Sequence, residues 1–183
     1  HYKCNWMATR DDNFKLTDPY SLTAATASSV IFTFEALNGE EISLSDQRFN
    51  EKIKLVNIMG SWCPNCKDEI NFLKEVKKEN PDIEIISIAF EKYKDKQKAL
   101  NVLRQYKRAM NIDWPLLYGG YADKKAISEQ LSFIDTFYAY PTLLFINEAN
   151  EIKHIKTGFY GPATSEYETF SEEIYAKLKN MKK

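Results

Sequence analysis

The sequence predicts an α/β fold, a sheet covered by helices on both faces. Two observations carry this expectation. Short apolar runs at "KLVNIM", "IEIISIAF", "PLLY" and "PTLLFI" have the length of buried strands. Between them, apolar residues recur at helical spacing on segments whose other positions are charged. Alternation of the two patterns at these lengths places helices on a sheet, and 183 residues suit one domain of roughly 100 to 150 residues with an appendage.

Each element has its own signal. Residues 1 to about 29 show no sustained period, contain "TDPYS" and "TAATASS", and read as a tail or linker from an upstream region. The domain is expected over 30–183. "VIFTFEALNGEEISLSD" alternates on either side of Asn38-Gly39, which predicts a hairpin with a two-residue turn. "KLVNIM" follows as a buried strand. From Pro64 the period becomes helical, with Ile70, Leu73 and Val76 on one side, until Asn80-Pro81 stops the run. After the strand "IEIISIAF", the residues Ala99, Val102, Leu103, Tyr106 and Met110 mark an amphipathic helix. The strand "PLLY" and a shorter helix around Ile127 and Leu131 come next. "PTLLFINEANEIKHIKTGF" predicts two strands joined near Glu148 to Asn150. The last helix is expected to open with Ser165 and Glu168 as a capping box and to bury Phe170, Ile174 and Leu178.

Composition excludes several functional classes. Lys+Arg (25) nearly balances Asp+Glu (26) and 44% of residues are hydrophobic, so neither a disordered chain nor a nucleic-acid-coating protein is indicated. The longest apolar runs fall far short of the roughly 20 residues of a membrane helix, and the first residues do not read as a signal peptide. The sequence begins at His1 without an initiator Met, which reads as a fragment or processed form. Any membrane tether is expected in a region before it.

The chemistry concentrates in "GSWCPNCKDE", where Cys63 and Cys66 lie at a junction from strand to helix. A thiolate there faces unpaired N–H groups and the positive end of the helix dipole, which lowers its pKa. Cys63 is expected at the helix start with an exposed sulfur as the attacking thiol, and Cys66 one turn in as the resolving thiol. Pro64 suits an early helical position because it has no N–H to lose. A metal half-site is the first alternative, but the only further candidate ligands are His1, Cys4 and His154, two of them in the least patterned segment. Two inert buried thiols are the second. Three cysteines, an odd number in a chain this long, do not form a disulfide framework.

"GSWCPNCKDE" resembles the active-site segment of thioredoxin-fold proteins, and "YPT" at Tyr140 to Thr142 resembles their cis-proline segment. The order of elements also agrees. The chain is most similar to extracytoplasmic TlpA/ResA-like thiol-disulfide oxidoreductases, through the hairpin "LNGEEISLSD", the strand-helix insertion between Phe90 and Tyr140, and the CxxCxxE pattern ending at Glu69. The resemblance covers about Val30 to Lys183. It implies a mixed central sheet, Cys63 as nucleophile, Cys66 as resolving cysteine and Pro141 as a cis-proline beside them. Tyr140 would present backbone to an extended substrate, and Trp62 and Pro64 would flank the site. Where thioredoxin has a buried Asp, this chain has Asn57, and Glu69 is the carboxylate offered instead. A partly buried Glu69 would exchange a proton with a thiol; an exposed Glu69 would be ordinary helix surface.

The implied partners are a protein dithiol or disulfide substrate and an upstream thiol electron donor, with no cofactor beyond the Cys63–Cys66 couple, no metal and no nucleic acid. The implied location is extracytoplasmic, periplasmic or membrane-anchored. Two other readings stand beside it: a peroxiredoxin-like peroxidase, although Ser61-Trp62-Cys63 departs from a Thr-x-x-Cys segment, and a non-enzymatic redox-sensing module of a larger anchored protein. His154, in the alternating "EIKHIK", is expected to face solvent, Cys4 to be a free thiol, and Lys92 to Lys98 and Lys177 to Lys183 to be solvated surface or tail.

Overall fold

The computed structural model describes residues 23–27 and 29–182. Seven strands form one mixed sheet: β1 (Thr33–Ala36), β2 (Glu41–Ser43), β3 (Lys54–Met59), β4 (Glu84–Glu91), β5 (Leu116–Tyr121), β6 (Thr142–Ile146) and β7 (Ile152–Thr157). Four helices pack on it: α1 (Pro64–Glu79), α2 (Lys96–Ala109), α3 (Lys124–Gln130) and α4 (Tyr167–Met181). The sheet order is β2-β1-β5-β4-β3-β6-β7, with β3, β4 and β5 parallel and the remaining pairs antiparallel. The expected α/β architecture with a mixed sheet, leading hairpin and inserted β5 is therefore present.

Topology decides which helices share a face. The crossovers β3-α1-β4 and β4-α2-β5 step in the same direction, so a common hand puts α1 and α2 on one side. The connection from β5 through α3 runs to the antiparallel β6, where that hand does not apply, and the packing of Ile127 and Leu131 places α3 on the opposite face. Two hydrophobic clusters reflect this. One joins α1, α2 and α4 through Ile70, Leu73, Leu103 and Ile174; the other joins α3 and the hairpin through Ile127, Leu131, Ile42 and Phe90. Strand β3 lies between them with all six residues buried, and each fully buried aliphatic side chain there contributes roughly 1.5–3 kcal/mol. Its charged residue, Lys54, donates from Nζ to Asn150 Oδ1 (2.6 Å) in the β6–β7 turn, and burial lowers its pKa.

Several local expectations are corrected. The hairpin closes on the Ala36–Glu40 pair, so its turn holds three residues, Leu37 to Gly39, rather than two: the Ala36 N–H donates to Glu40 O (2.7 Å), and Gly39 (φ 89) closes an i to i+3 turn onto Ala36 O (2.9 Å). Gly39 thus occupies the left-handed position that follows a type I turn. Helix α4 starts at Tyr167 with Glu166 as N-cap and no capping hydrogen bond from a side chain, so Ser165 and Glu168 form no capping box. His154 does not point freely into solvent; it is half-buried, edge-on to its cross-strand partner Phe145 at 5.9 Å. Contacts also begin before residue 30. Thr23 Oγ1 accepts from Thr157 (2.9 Å), and Ala24 and Thr26 hydrogen-bond to Asp135 and Phe133 in the segment leading to Pro141. His1 and Cys4 lie outside the described residues.

Two glycines answer to different constraints. A Cβ at Gly119 would lie 2.7 Å from the ring of Phe90, which is fully buried, whereas one at Gly39 meets open space but a positive φ. Gly119→Ala should therefore cost about 2–3 kcal/mol through overpacking and Gly39→Ala about 1 kcal/mol or less through backbone strain alone, measured by urea unfolding. Equal costs at the two positions would contradict this packing.

Candidate redox site

The site is built where β3 ends and α1 begins. After Met59 the chain turns through Gly60-Ser61-Trp62, and Cys63 takes extended dihedrals (φ −94, ψ 118) as the N-cap of α1. Pro64 stands in the first turn, where its missing N–H costs nothing. Cys63 Sγ accepts a hydrogen bond from the Cys66 N–H at 3.3 Å, the role that a Ser or Asp side chain fills at an ordinary N-cap. Both cysteines are free thiols in this structure.

Their environments differ in one direction. The Cys63 thiol is lowered to about 7, chiefly by hydrogen bonding from the Cys66 thiol, with help from the Cys66 and Asn65 N–H groups and the Lys92 charge, and against the cost of burial. Burial pushes the Cys66 thiol up, and a Cys63 thiolate beside it pushes further. At neutral pH the pair therefore holds one labile proton on Cys63 and one firmly held proton on Cys66. The exposed sulfur expected for Cys63 is corrected: the residue is only 7% exposed, against 0% for Cys66. Tyr140, which meets Trp62 edge-on at 5.1 Å, packs against the cluster that contains both cysteines.

Glu69 is fully buried on the inner face of α1, so the surface alternative for it is removed. Its Oε2 accepts from Asn57 Nδ2, while Asn57 Oδ1 and Glu69 Oε1 are both buried acceptors without a donor. A proton on the carboxyl supplies the missing donor on this pair. Consistently, burial raises the Glu69 pKa well above the usual carboxylate range, opposed by the Asn57 hydrogen bond.

The peptide bond between Tyr140 and Pro141 is cis, and Pro141 O accepts from the Gly158 N–H at 2.6 Å. This ties the start of β6 to the end of β7. The Trp62 indole folds back so that Nε1 donates to Phe90 O (3.1 Å), and a Cβ on Gly60 would collide with its ring. Only glycine leaves room for that indole. The structure thus brings Trp62, Cys63, Pro64, Cys66, Glu69, Tyr140 and Pro141 into or next to one region.

Three groups there were not singled out from sequence. Glu91, fully buried at the end of β4, accepts from the Ser61 N–H (2.8 Å) and hydroxyl (3.0 Å), holding the loop just before Cys63. Lys92, expected to be plain solvated surface, places Nζ 4.0 Å from the Trp62 ring centroid. Tyr106 on α2 is the third: like Tyr140, already expected at the site, it buries a hydroxyl without a hydrogen-bond partner, and burial raises both phenols. A run of "FEKYK" shows such residues only as a charged boundary; the parallel pairing of β4 with β3 brings them to the cysteines.

A cavity of about 1120 Å³ lies elsewhere, at the opposite end of the sheet beside Arg104, Lys107 and Trp114. A smaller one, about 630 Å³, touches Asn65 and Asp68 on α1 and Phe159 to Glu166 after β7, and so belongs to the cysteine end of the molecule. Among the described residues no three His, Cys, Asp or Glu side chains cluster as metal ligands.

Comparison with known proteins agrees with the geometry. The profile of the Redoxin family matches residues 23–170. A thioredoxin-like protein of Bacillus subtilis, YneN, is 26% identical over 128 residues, covering 69% of this chain and 68% of that protein. Similar solved structures include a thiol-disulfide oxidoreductase from Bacteroides fragilis, at 18% identity and TM-score 0.59 over 81% of this chain and 99% of that one. StoA from Bacillus subtilis gives 19% and 0.53 over 78% and 95%. The exposed lipoprotein thioredoxin Etrx1 of Streptococcus pneumoniae gives 20% and 0.59 over 82% and 99%. Fold and family profile together establish that this chain belongs to the Redoxin family and has a thioredoxin-like fold.

Proposed function

We propose that this chain is a thiol-disulfide oxidoreductase that reduces disulfides in extracytoplasmic proteins, with Cys63 as nucleophile and Cys66 as resolving thiol. The observation that carries the reading is the asymmetric pair: a Cys63 thiol lowered to about 7 at a helix N-cap, with Cys66 buried behind it and raised. The names of the similar proteins, including an exposed lipoprotein, support the activity and the compartment. Among the described residues no helix is long and apolar enough to cross a membrane.

The chemistry proceeds in two exchanges. The Cys63 thiolate attacks one sulfur of the substrate disulfide; that S–S bond breaks, the other substrate sulfur leaves as a thiolate, and a Cys63–substrate disulfide forms. Cys66 then loses its proton and attacks Cys63 Sγ. The mixed disulfide breaks, the second substrate thiolate leaves, and two electrons have passed to the substrate. An upstream thiol donor reduces the resulting Cys63–Cys66 disulfide again, so no further cofactor enters the cycle. Trp62, Pro64, Tyr140 and the cis Pro141 frame the sulfur, and the Tyr140 backbone is the pairing edge for an extended substrate segment.

Glu69 serves the second exchange. Burial raises its carboxyl well above the usual carboxylate range, so its ionised form takes the proton that Cys66 loses at smaller cost than an ordinary carboxylate would. A raised carboxyl also makes a statement about stability. Its contribution is full below the unfolded value near 4.5 and is lost as pH rises through the folded value.

Three outcomes follow. Equilibration with glutathione or dithiothreitol buffers should give a reversible intramolecular disulfide with a potential at or below about −270 mV; a value near about −120 mV, or no such disulfide, contradicts a reducing role. Cys66→Ser should accumulate the mixed disulfide and Cys63→Ser should form none, read by mass spectrometry under non-reducing conditions. Glu69→Gln should slow release from the mixed disulfide by roughly 100-fold while leaving first attack within about threefold, and should gain stability over the parent as pH rises from 4.5 to 8. Unchanged release, or a pH-independent stability difference, would remove Glu69 from the proton path.

A further inference from the structure

We propose that Trp62, Lys92, Lys94 and Tyr121 form a docking ledge that selects protein substrates carrying acidic residues beside the target cysteine. This rests on the oxidoreductase reading above and names the partner chemistry of the same site. Strands β3, β4 and β5 run parallel, so their C-terminal ends open onto one edge, the edge at which Cys63 sits. Glu91 of β4 is paired with Tyr121 of β5, which sets Lys92 and Lys94 between the Trp62 and Tyr121 rings along that edge.

The side chains on this edge are laid out for an external anion. Lys92 Nζ stands 4.0 Å from the Trp62 ring centroid and Lys94 Nζ 5.6 Å from that of Tyr121. The two rings remain 36% and 41% exposed, more open than most large aromatics among the described residues. A cation resting on a ring keeps its outer side free to meet a carboxylate.

No neighbouring acid fills that role. Glu91 is spent on the Ser61 N–H and hydroxyl, Asp95 on the Lys98 N–H at the start of α2, and Asp123 on the Ala126 N–H at the start of α3. By contrast, Lys96 on the same segment is paired with Glu35 at 2.6 Å. Among the described residues neither Lys92 nor Lys94 has a carboxylate within salt-bridge distance. A segment bearing Asp or Glu near its cysteine would supply the missing charges and lay apolar stems on Trp62 and Tyr121, whereas a basic segment would be repelled. The ledge adjoins the nucleophile, since Lys92 is near enough to help lower the Cys63 thiol.

The test uses Cys66→Ser chain and two peptides that compete for Cys63, one flanked by Asp and Glu, the other by Lys and Arg. Each has one cysteine capped as a disulfide with thionitrobenzoate. The Cys63 thiolate attacks the peptide sulfur, the peptide–thionitrobenzoate bond breaks, a Cys63–peptide disulfide forms, and the thionitrobenzoate thiolate leaves with the electron pair. Rates are normalised to those of each peptide with 2-mercaptoethanol. The acidic peptide should win by roughly five-fold at low ionic strength, from two exposed ion pairs. The preference should fall toward parity in about 0.5 M salt and in Lys92→Gln/Lys94→Gln. A second variant, Lys94→Gln/Tyr121→Ser, retains Lys92 and so separates recognition from the acidity of Cys63; it should lose about half of the preference. No preference in the parent, a basic preference, or a preference that both variants retain would overturn the ledge while leaving the oxidoreductase reading intact. Failure of both peptides to form any mixed disulfide would overturn the oxidoreductase reading itself.

Discussion

The hydrogen bond from the Cys66 N–H to Cys63 Sγ is the point on which the site turns. It makes a cysteine the N-cap of α1, so the sulfur receives the unpaired donors of the helix start instead of an oxygen side chain. Everything around it maintains that geometry. Strand β3 is buried on both faces and delivers the chain to one place, Glu91 clamps Ser61, Gly60 makes room for the Trp62 indole, and Pro64 presets the first turn. A rigid α1 carrying Ile70, Leu73 and Val76 into the core then holds Cys66 behind Cys63 at fixed spacing.

The same burial separates the protons. Desolvation works against charge at Cys66, Glu69 and Glu91 alike, whereas Cys63 alone gathers enough donors and nearby positive charge to offset it. Asn57 and Glu69 illustrate the principle at a second pair. With an ionised Glu69 two buried acceptors remain without a donor, and a single proton removes that defect. The site therefore holds a proton firmly on Cys66 behind a nearly buried Cys63 thiolate, with Glu69 beside them as a carboxyl that takes up a proton readily, an arrangement suited to two successive exchanges.

Much of this was legible in the sequence, for identifiable reasons. Buried strands announce themselves as unbroken apolar runs, and the Cys63 position follows from a strand that ends four residues before it and a Pro that opens a helix. Even the burial of Glu69 had a signal, since it lies three residues after Cys66 and four before Leu73, on the stripe that carries Ile70 and Val76. What was not legible depends on neighbours far along the chain. His154 looks outward in its own strand but meets Phe145 across the β6–β7 pair, and Glu91 and Lys92 acquire partners only because β4 lies beside β3. The hairpin turn and the start of α4 failed differently: Asn38-Gly39 and Ser165-x-x-Glu168 mark where the backbone bends, while local dihedrals decide which residue occupies the special position.

The most direct test of the central claim is the pH dependence of alkylation at each cysteine in the reduced protein, resolved by peptide mass spectrometry. The account requires Cys63 to react with a midpoint of about 7 and Cys66 to stay protected well into the alkaline range while the fold persists. Equal reactivity at both thiols, or a Cys63 midpoint at the ordinary thiol value of about 8.5, would contradict a helix-capping thiolate as the source of the chemistry.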